Sequence, residues 1–235
     1  MKIEHPLQED IAALRALWKE AFADPDSYLD LFFSTAFQPE RCMCVRENGN
    51  IPAAAYWMDC EIADRKAAYI YAVATAEAYR GRGFCRALME NMHTILRDWG
   101  YCGSILVPGD DGLRQMYRTM GYRDFGSKPA YTQVSNRSAQ MQKIGREEFA
   151  RLRRSFLPEN AVIQEGAPLA LLDALADFYQ GNGFLMTLSR ENGRILELLG
   201  DAAAAGFCMA GRQQFAMYRP LSEEIYPAYF AFAFD

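Results

Sequence analysis

A short glycine-rich turn between two apolar segments constrains this chain more than any other feature of the sequence. Residues 67–75 form an almost wholly apolar run, which predicts a central strand buried on both faces. The turn at 80–83 reads Arg-Gly-Arg-Gly, and residues 85–98 then carry apolar side chains along one side of a predicted helix. A buried strand, a glycine turn and an amphipathic helix in direct succession predict an α/β fold.

The turn has the chemistry of an anion site. Glycines let the backbone curl so that several N–H groups face one point, and a helix N-terminus adds partial positive charge there. Arg80, Arg82 and Arg86 can screen a diphosphate. The turn is neither a Rossmann fingerprint nor a P-loop, because it lacks the third glycine of one and the Gly-Lys-Ser/Thr of the other. An ordinary strand-to-helix turn is the alternative interpretation.

Hydrophobic periodicity predicts the other elements of the first 137 residues. Two helices come first, at 10–22 and 27–37, and Asn-Gly at 48–49 is typical of a tight hairpin turn. The remaining predictions are strands at 41–47, 51–62, 102–107 and 131–135 and a helix at 112–120.

The polar residues 135–138 predict a boundary that divides the chain into residues 1–137 and 138–235. The second part repeats the helix, helix, strand, strand order of the first without a glycine-rich turn, which indicates a smaller, degenerate copy. Its predicted elements are helices at 146–156 and 168–179 and strands at 184–189, 194–199, 207–209, 214–218 and 229–234. An exposed edge at the last strand could pair with the first domain or with a second subunit as a homodimer.

Composition excludes several classes of function. A net charge of −5, from 25 basic and 30 acidic residues, provides no global attraction for nucleic acid. No run approaches the ~20 apolar residues of a membrane span, and residues 1–10 lack the apolar core of a signal peptide, which predicts a cytoplasmic protein. Six cysteines without a Cys-x-x-Cys pair, beside two histidines, indicate neither a metal site nor a disulfide framework.

The turn resembles the pyrophosphate loop, Arg/Gln-x-x-Gly-x-Gly/Ala, of the GNAT (GCN5-related N-acetyltransferase) family. Arg80 and Gly83 match this loop, and Cys85 stands where the family has Gly or Ala. Downstream, Tyr117 is followed at the family's spacing by Gly-Tyr at 121–122. Asp110 stands where the family usually has Asn, and the resemblance covers about residues 1–135.

This resemblance implies a GNAT fold, in which a mixed central sheet is flanked by helices, with a second, smaller GNAT-like half. It implies an acyl-CoA-dependent N-acyltransferase that moves an acetyl group from acetyl-CoA directly to a primary amine of a small molecule or peptide. The residues implied in coenzyme binding are Val73, Ala74, Thr75, Arg80, Gly81, Arg82, Gly83, Phe84, Cys85 and Arg86. Tyr117 would be the general acid that protonates the departing thiolate, and an aromatic packed on one helix face is the alternative.

Three candidates for the general base are left open, because the 67–75 run contains no Glu or His. Asp59 and Glu61 alternate with apolar residues, so they could face an acceptor or form a solvated strand face. The third candidate is Asp235, because the tandem layout is similar to the enhanced-intracellular-survival type of GNAT enzyme, in which the C-terminal carboxylate reaches the active site. An ordinary sheet-edge strand is the alternative for that terminal segment.

Two other classes of function stay open. One is a non-catalytic acyl-CoA-binding regulatory protein of the same fold, and the other is an interaction module whose glycine turn is only structural. The sequence does not specify the acceptor. Four aromatic residues could line an acceptor site or belong to the core: Phe32, Phe33, Tyr56 and Trp57.

Overall fold

Helices and strands alternate through the parts of the chain that the computed structural model describes, residues 1–134, 140–222 and 225–234. The predicted boundary at 135–138 and Asp235 therefore lie outside the described residues. The strands are β1 (Lys2–Glu4), β2 (Cys42–Glu47), β3 (Asn50–Ile62), β4 (Arg65–Thr75), β5 (Gly103–Leu106), β6 (Arg123–Gln133), β7 (Met141–Ile144), β8 (Ala176–Gly181), β9 (Phe184–Ser189), β10 (Ile195–Gly200) and β11 (Phe207–Pro220). The helices are α1 (Ile11–Phe22), α2 (Asp26–Thr35), α3 (Phe84–Asp98), α4 (Asp111–Arg118), α5 (Arg146–Phe156) and α6 (Ala167–Leu175).

The strands form a seven-stranded and a four-stranded sheet. The larger has the order β1-β2-β3-β4-β5-β11-β6 and is mixed, because β4 and β5 run parallel while its other neighbours are antiparallel. The smaller is antiparallel, with the order β10-β9-β8-β7. The predicted mixed central sheet with flanking helices is confirmed.

Helices cover both faces of the larger sheet. Alternate residues of β3 belong to two hydrophobic clusters: Tyr56 packs with Trp18 of α1 and Phe32 of α2, whereas Trp57 packs with Met92 of α3. Tyr56, Trp57 and Phe32 are each at most 2% exposed, and the half-buried Phe33 packs against the first cluster. These four aromatics therefore belong to the core.

The long strand β11 lies between β5 and β6 and pairs antiparallel with both. The sequence predicted two separate strands, at 207–209 and 214–218, in the second half of the chain. Residues 211–214 are polar or glycine and interrupt the apolar pattern, but they are exposed and pair only with β6. Backbone pairing in solvent needs no apolar side chains. The second half thus completes the sheet of the first, and the division at 137/138 stays a prediction.

Two further element predictions were wrong in extent. The helix predicted at 168–179 ends at Leu175, because residues 176–181 pair with β7 and β9. The strand predicted at 131–135 is the end of β6, which starts at Arg123 and contains Gly126 and Pro129. Both errors arise where pairing with a distant strand outweighs local preference.

The predicted strand at 229–234 does not form, and this segment is no exposed edge. Phe230 and Phe232 are each 3% exposed, and its ladder contact is a single bridge between Tyr229 and Ala161. Backbone groups of the segment bond instead to side chains, including that of Gln164. A homodimer through this edge is therefore not supported. Across the three described stretches, no helix has both the length and the apolar character needed to span a membrane.

Candidate active site

β4 and β5 separate at one end of the larger sheet. They pair only from Ala67 to Tyr69 on β4, while β4 itself continues to Thr75. Beyond Tyr69, the edge of β4 that faced β5 opens toward a cavity lined by residues 73–75. Backbone groups at such an opening can bond to a ligand in place of a neighbouring strand.

A β-bulge at Ala72 bends β4 just before this opening. Ala54 pairs with Ala74 and Tyr56 pairs with Tyr71, so two residues of β4 stand opposite one residue of β3. Ala72 has a φ of 47°, an uncommon value for a residue with a side chain. Tyr71 and Ala72 consequently pack against the same hydrophobic cluster, although they are adjacent in a strand.

The glycine turn has a backbone conformation that depends on its two glycines, and its predicted anion site stays a prediction. Gly81 and Gly83 have φ values of 76° and 81°, which other residues rarely adopt, and α3 begins directly afterwards at Phe84. The first helical hydrogen bond runs from the Ala87 amide to the Gly83 carbonyl at 3.0 Å. The amides of residues 84–86 consequently have no acceptor within the helix.

A cavity of about 650 Å³ joins the opened strand, the glycine turn, the end of α1 and α4. The predicted site residues that line it are Val73, Ala74, Thr75, Arg80, Gly81, Gly83, Phe84, Cys85, Arg86 and Tyr117. Arg82 instead places its guanidinium 4.9 Å from the centre of the Tyr79 ring. Phe84 is 5% exposed, so its backbone rather than its ring is available to a ligand.

Positive charge concentrates at the mouth of this cavity. The exposed Arg80 donates from Nε to the Thr75 carbonyl at 3.2 Å. The exposed Arg86 donates from Nη2 to Thr119 Oγ1 at 2.7 Å. Arg86 also lies 3.9 Å from Glu90 in an exposed ion pair. Both guanidinium groups border the same cavity as the amides of the α3 N-terminus, an arrangement that favours a bound phosphate group.

Tyr117 lies on the cavity side of α4. Burial raises the pKa of Tyr117, and the nearby Cys85 and Tyr122 add to the effect, so the phenol keeps its proton at neutral pH. The rings of Tyr117 and Tyr122 meet edge to face, with centroids 5.7 Å apart. The Asp110 carboxylate also lines the cavity, where it caps α4 by accepting from the Leu113 amide at 2.7 Å.

A second cavity, of about 570 Å³, lies beyond the turn that joins α1 to α2. Phe22 lines the first cavity, and Asp24, two residues later in the chain, lines the second. Tyr28 lines the second cavity, and its hydroxyl bonds to that of Tyr71 on β4. Phe234 also lines it, and its carbonyl accepts from the Tyr71 hydroxyl at 3.0 Å. Tyr71 therefore connects the second cavity to the strand that lines the first.

Two of the candidate bases, Asp59 and Glu61, lie away from both cavities. Asp59 forms an ion pair of 3.0 Å with Arg41, and it pairs on the sheet with Ala68. The cavity-lining Ala74 is six residues further along β4, roughly 20 Å away at the rise of a strand. Glu61 is 3.7 Å from Arg154. Both carboxylates lie outside the two cavities, as the solvated-face alternative predicted.

Sequence reasoning missed Tyr28, Tyr71 and the bulge at Ala72. The pattern Tyr-Ile-Tyr at 69–71 was a usable signal, because alternate strand residues share a face and two hydroxyls would then lie together. No local signal marks Ala72, since alanine rarely adopts a positive φ.

The chain combines a mixed α/β sheet with a cavity at the end where its two parallel strands separate. A family profile described as "Acetyltransferase (GNAT) domain" matches residues 2–125. The chain belongs to the GNAT family.

Solved structures of related fold include two GCN5-related N-acetyltransferases. The one from Kribbella flavida is 17% identical, with a TM-score of 0.71 over 93% of this chain and 70% of that chain. The one from Anabaena variabilis is 16% identical, with a TM-score of 0.68 over 94% of this chain and 73% of that chain. Eis1 from Mycobacterium abscessus is 11% identical, with a TM-score of 0.71 over 94% of this chain and 74% of that chain. At these identities the likeness concerns the fold alone. No curated protein matches this sequence.

Proposed function

We propose that this protein transfers the acetyl group of acetyl-CoA directly to a primary amine of a small molecule or peptide. The observation that carries the proposal is the cavity between the opened edge of β4 and the N-terminus of α3. The amides of residues 84–86, with Arg80 and Arg86, supply donors and positive charge for the coenzyme diphosphate. Residues 73–75 supply strand backbone for the pantetheine arm.

Acetyl transfer in this cavity would proceed in one displacement. The neutral amine nitrogen bonds to the thioester carbonyl carbon, the carbon–sulfur bond breaks, and the nitrogen releases one proton to a base, which leaves an acetamide and a thiolate. A backbone N–H near Val73 polarises the carbonyl oxygen. Tyr117, whose pKa is raised by burial so that the phenol is protonated at neutral pH, donates a proton to the thiolate.

The acceptor would enter through the second cavity. Its Asp24 carboxylate accepts from Trp18 Nε1 at 2.8 Å and offers a negative charge to an ammonium group. Tyr28 and Phe234 reach from this cavity to Tyr71, which is two residues before Val73. Asp235 lies outside the described residues, and its assignment as the general base stays a prediction, supported by the position of Phe234.

The decisive experiment titrates acetyl-CoA into the purified protein and then measures CoA release with a panel of amines. A ligand at ~100 times its Kd stabilises a folded protein by ~2.7 kcal/mol, so a thermal shift provides a second readout of binding. Arg80→Ala should weaken acetyl-CoA binding about tenfold or more, since a charged hydrogen bond is worth ~1.5–3 kcal/mol. Arg151→Ala, at a side chain 71% exposed on α5, is the matched control.

Absence of acetyl-CoA binding would refute the proposal. Binding without acetylation of any amine would favour the non-catalytic acyl-CoA-binding alternative.

A further inference from the structure

Apolar side chains from separate elements dominate the wall of the second cavity. Leu31 of α2, Leu175 of α6 and Leu196 of β10 are half-buried around it, and Phe232 and Phe234 also line it. Half-buried apolar side chains at a cavity present surface that a ligand can remove from water. The wall therefore favours a ligand with an apolar body.

The charged residues of the cavity balance one another. Asp24 and Glu191 are opposed in formal charge by Lys128 and Arg194, and all four line it. A ligand with several ammonium groups would bring some of them toward the two cationic side chains, and such like-charge contacts are unfavourable. A ligand with one ammonium group can use a carboxylate without this cost.

Asp24 is linked to β4 through the side chain of Trp18. Trp18 donates to Asp24 at 2.8 Å and its ring centroid lies 5.6 Å from that of Tyr71, which places the Asp24 carboxylate close to β4. Leu175 and Leu196 belong to elements outside the larger sheet. An amine held near Asp24 would direct its body toward these leucines.

We propose that the second cavity selects a primary monoamine carried on an apolar alkyl or arylalkyl body over a polyamine. This inference rests on the proposed acetyl transfer and names the class of acceptor for it. Apolar contact with the leucines then supplies most of the discrimination, and Asp24 orients the nitrogen.

A homologous series of amines tests the selectivity. Ethylamine, butylamine and hexylamine have nearly equal basicity, so differences among them report the cavity rather than proton removal. Each buried methylene should raise kcat/KM about three- to fourfold, which predicts at least a tenfold rise from ethylamine to hexylamine. Spermidine should fall below hexylamine. A flat series, or a higher kcat/KM for spermidine, would overturn the inference.

Two substitutions locate the effect within the cavity. Leu175→Ala and Leu196→Ala should each reduce the hexylamine-to-ethylamine ratio at least threefold and leave the Kd for acetyl-CoA unchanged. Leu7→Ala, at a side chain 58% exposed, is the control and should keep the ratio. Ratios that stay at the wild-type value in both cavity variants would contradict the assignment, and thermal unfolding checks that each variant is folded.

Calorimetric titration of hexylamine and ethylamine with CoA present separates this inference from the proposed function, because no acetyl group is then available. Tighter binding of hexylamine without acetylation by acetyl-CoA would leave the cavity's selectivity intact and refute acetyl transfer. Acetylation of amines without preference for chain length would refute the selectivity alone.

Discussion

The hydroxyl of Tyr71 donates a hydrogen bond of 3.0 Å to the carbonyl oxygen of Phe234, which is 163 residues later in the chain. Tyr69, on the same strand, donates to the carbonyl of Ala233. These bonds fasten the C-terminal segment to β4 next to the bulge at Ala72. The strand proposed to bind the thioester and the wall of the proposed acceptor cavity are therefore mechanically connected.

Removal of Phe234 and Asp235 should lower kcat at least tenfold, because a wall of the acceptor cavity and the predicted base would both be lost. The Kd for acetyl-CoA should not change, since the first cavity is lined by other residues. Steady-state kinetics and calorimetry measure the two quantities. Asp235→Ala in the full chain tests the side-chain carboxylate alone, and an unchanged kcat in the shortened protein would remove Asp235 as the base.

Tyr117→Phe should lower kcat about 100-fold, because the variant keeps the ring and loses the proton donor. Acetyl-CoA binding should remain, since the ring packs in the same place. Single-turnover measurement of CoA release checks the chemical step directly. Tyr226→Phe, at a ring 42% exposed, is the matched control. Full activity of Tyr117→Phe would leave Tyr117 as an aromatic that only packs α4.

Gln164→Leu should lower kcat by displacing the C-terminal segment. The Gln164 amide donates from Nε2 to the Phe232 carbonyl at 2.6 Å and accepts from the Phe232 amide at 3.2 Å. Leucine leaves both buried backbone groups unpaired, at a cost of about 1–3 kcal/mol each. We expect at least a threefold loss of kcat per folded molecule, with acetyl-CoA binding retained.

Gln213→Leu is the control for this substitution, because Gln213 is exposed on β11. Loss of stability without any change in kcat of the folded protein would show that Gln164 has a structural role only.

His93 should make the protein less stable as the pH falls below about 6.5. Burial lowers the pKa of His93 to about 3, and the charges of Arg219 and Arg97 add to the effect. Arg219 donates to Nδ1 at 2.8 Å and Nε2 donates to Tyr122 Oη at 2.7 Å, an arrangement that requires a neutral ring. Between pH 6.5 and 3 the unfolded chain therefore binds a proton that the folded chain does not.

This difference should reduce the free energy of unfolding by up to about 1.4 kcal/mol per pH unit within that window. Denaturant titrations at pH 7 and pH 5 should show about 2 kcal/mol more loss for the wild type than for His93→Gln. Equal losses in the two proteins would mean that His93 is protonated in the folded state.

Gly103→Ala should destabilise the protein by about 1–3 kcal/mol, because the added methyl group overpacks the contact between β5 and β11. A Cβ at Gly103 would lie 2.1 Å from the hydroxyl oxygen of Tyr218 on β11. Gly211→Ala is the matched control on β11, since a Cβ there meets nothing within 4 Å. Denaturant unfolding compares the two variants, and equal stability would argue against β11 beside β5.

Local signals were sufficient for much of the fold and for the segment that is proposed to bind the coenzyme. The α1 and α3 helices and the hairpin at Gly49 lie where periodicity and turn chemistry predicted them. The residues proposed to bind the coenzyme come from one continuous stretch, 73–86, in which chain connectivity brings a strand end, two glycines and a helix start together.

Local apolar patterns predicted the wrong secondary structure where hydrogen bonds to distant residues decide it. Residues 229–234 have the pattern of a strand, yet the side chains of Gln164, Tyr69 and Tyr71 satisfy their carbonyls. Residues 176–181 continue a helical pattern, but β7 and β9 provide hydrogen bonds on both sides. Neither partner is visible within a window of neighbouring residues.

The order of residues along the chain was enough to specify the glycine turn and the helix that follows it, since these depend on φ values and on groups a few residues apart. The anion site between them stays a prediction. Folding in three dimensions decided that β11 enters the larger sheet, that the segment ending at Phe234 packs against Tyr71, and that a second cavity forms beside Asp24. The physical reason is the separation along the chain: these features come from packing and hydrogen bonds between distant residues, as in the bond between Tyr71 and Phe234, 163 positions apart, which local preference does not encode.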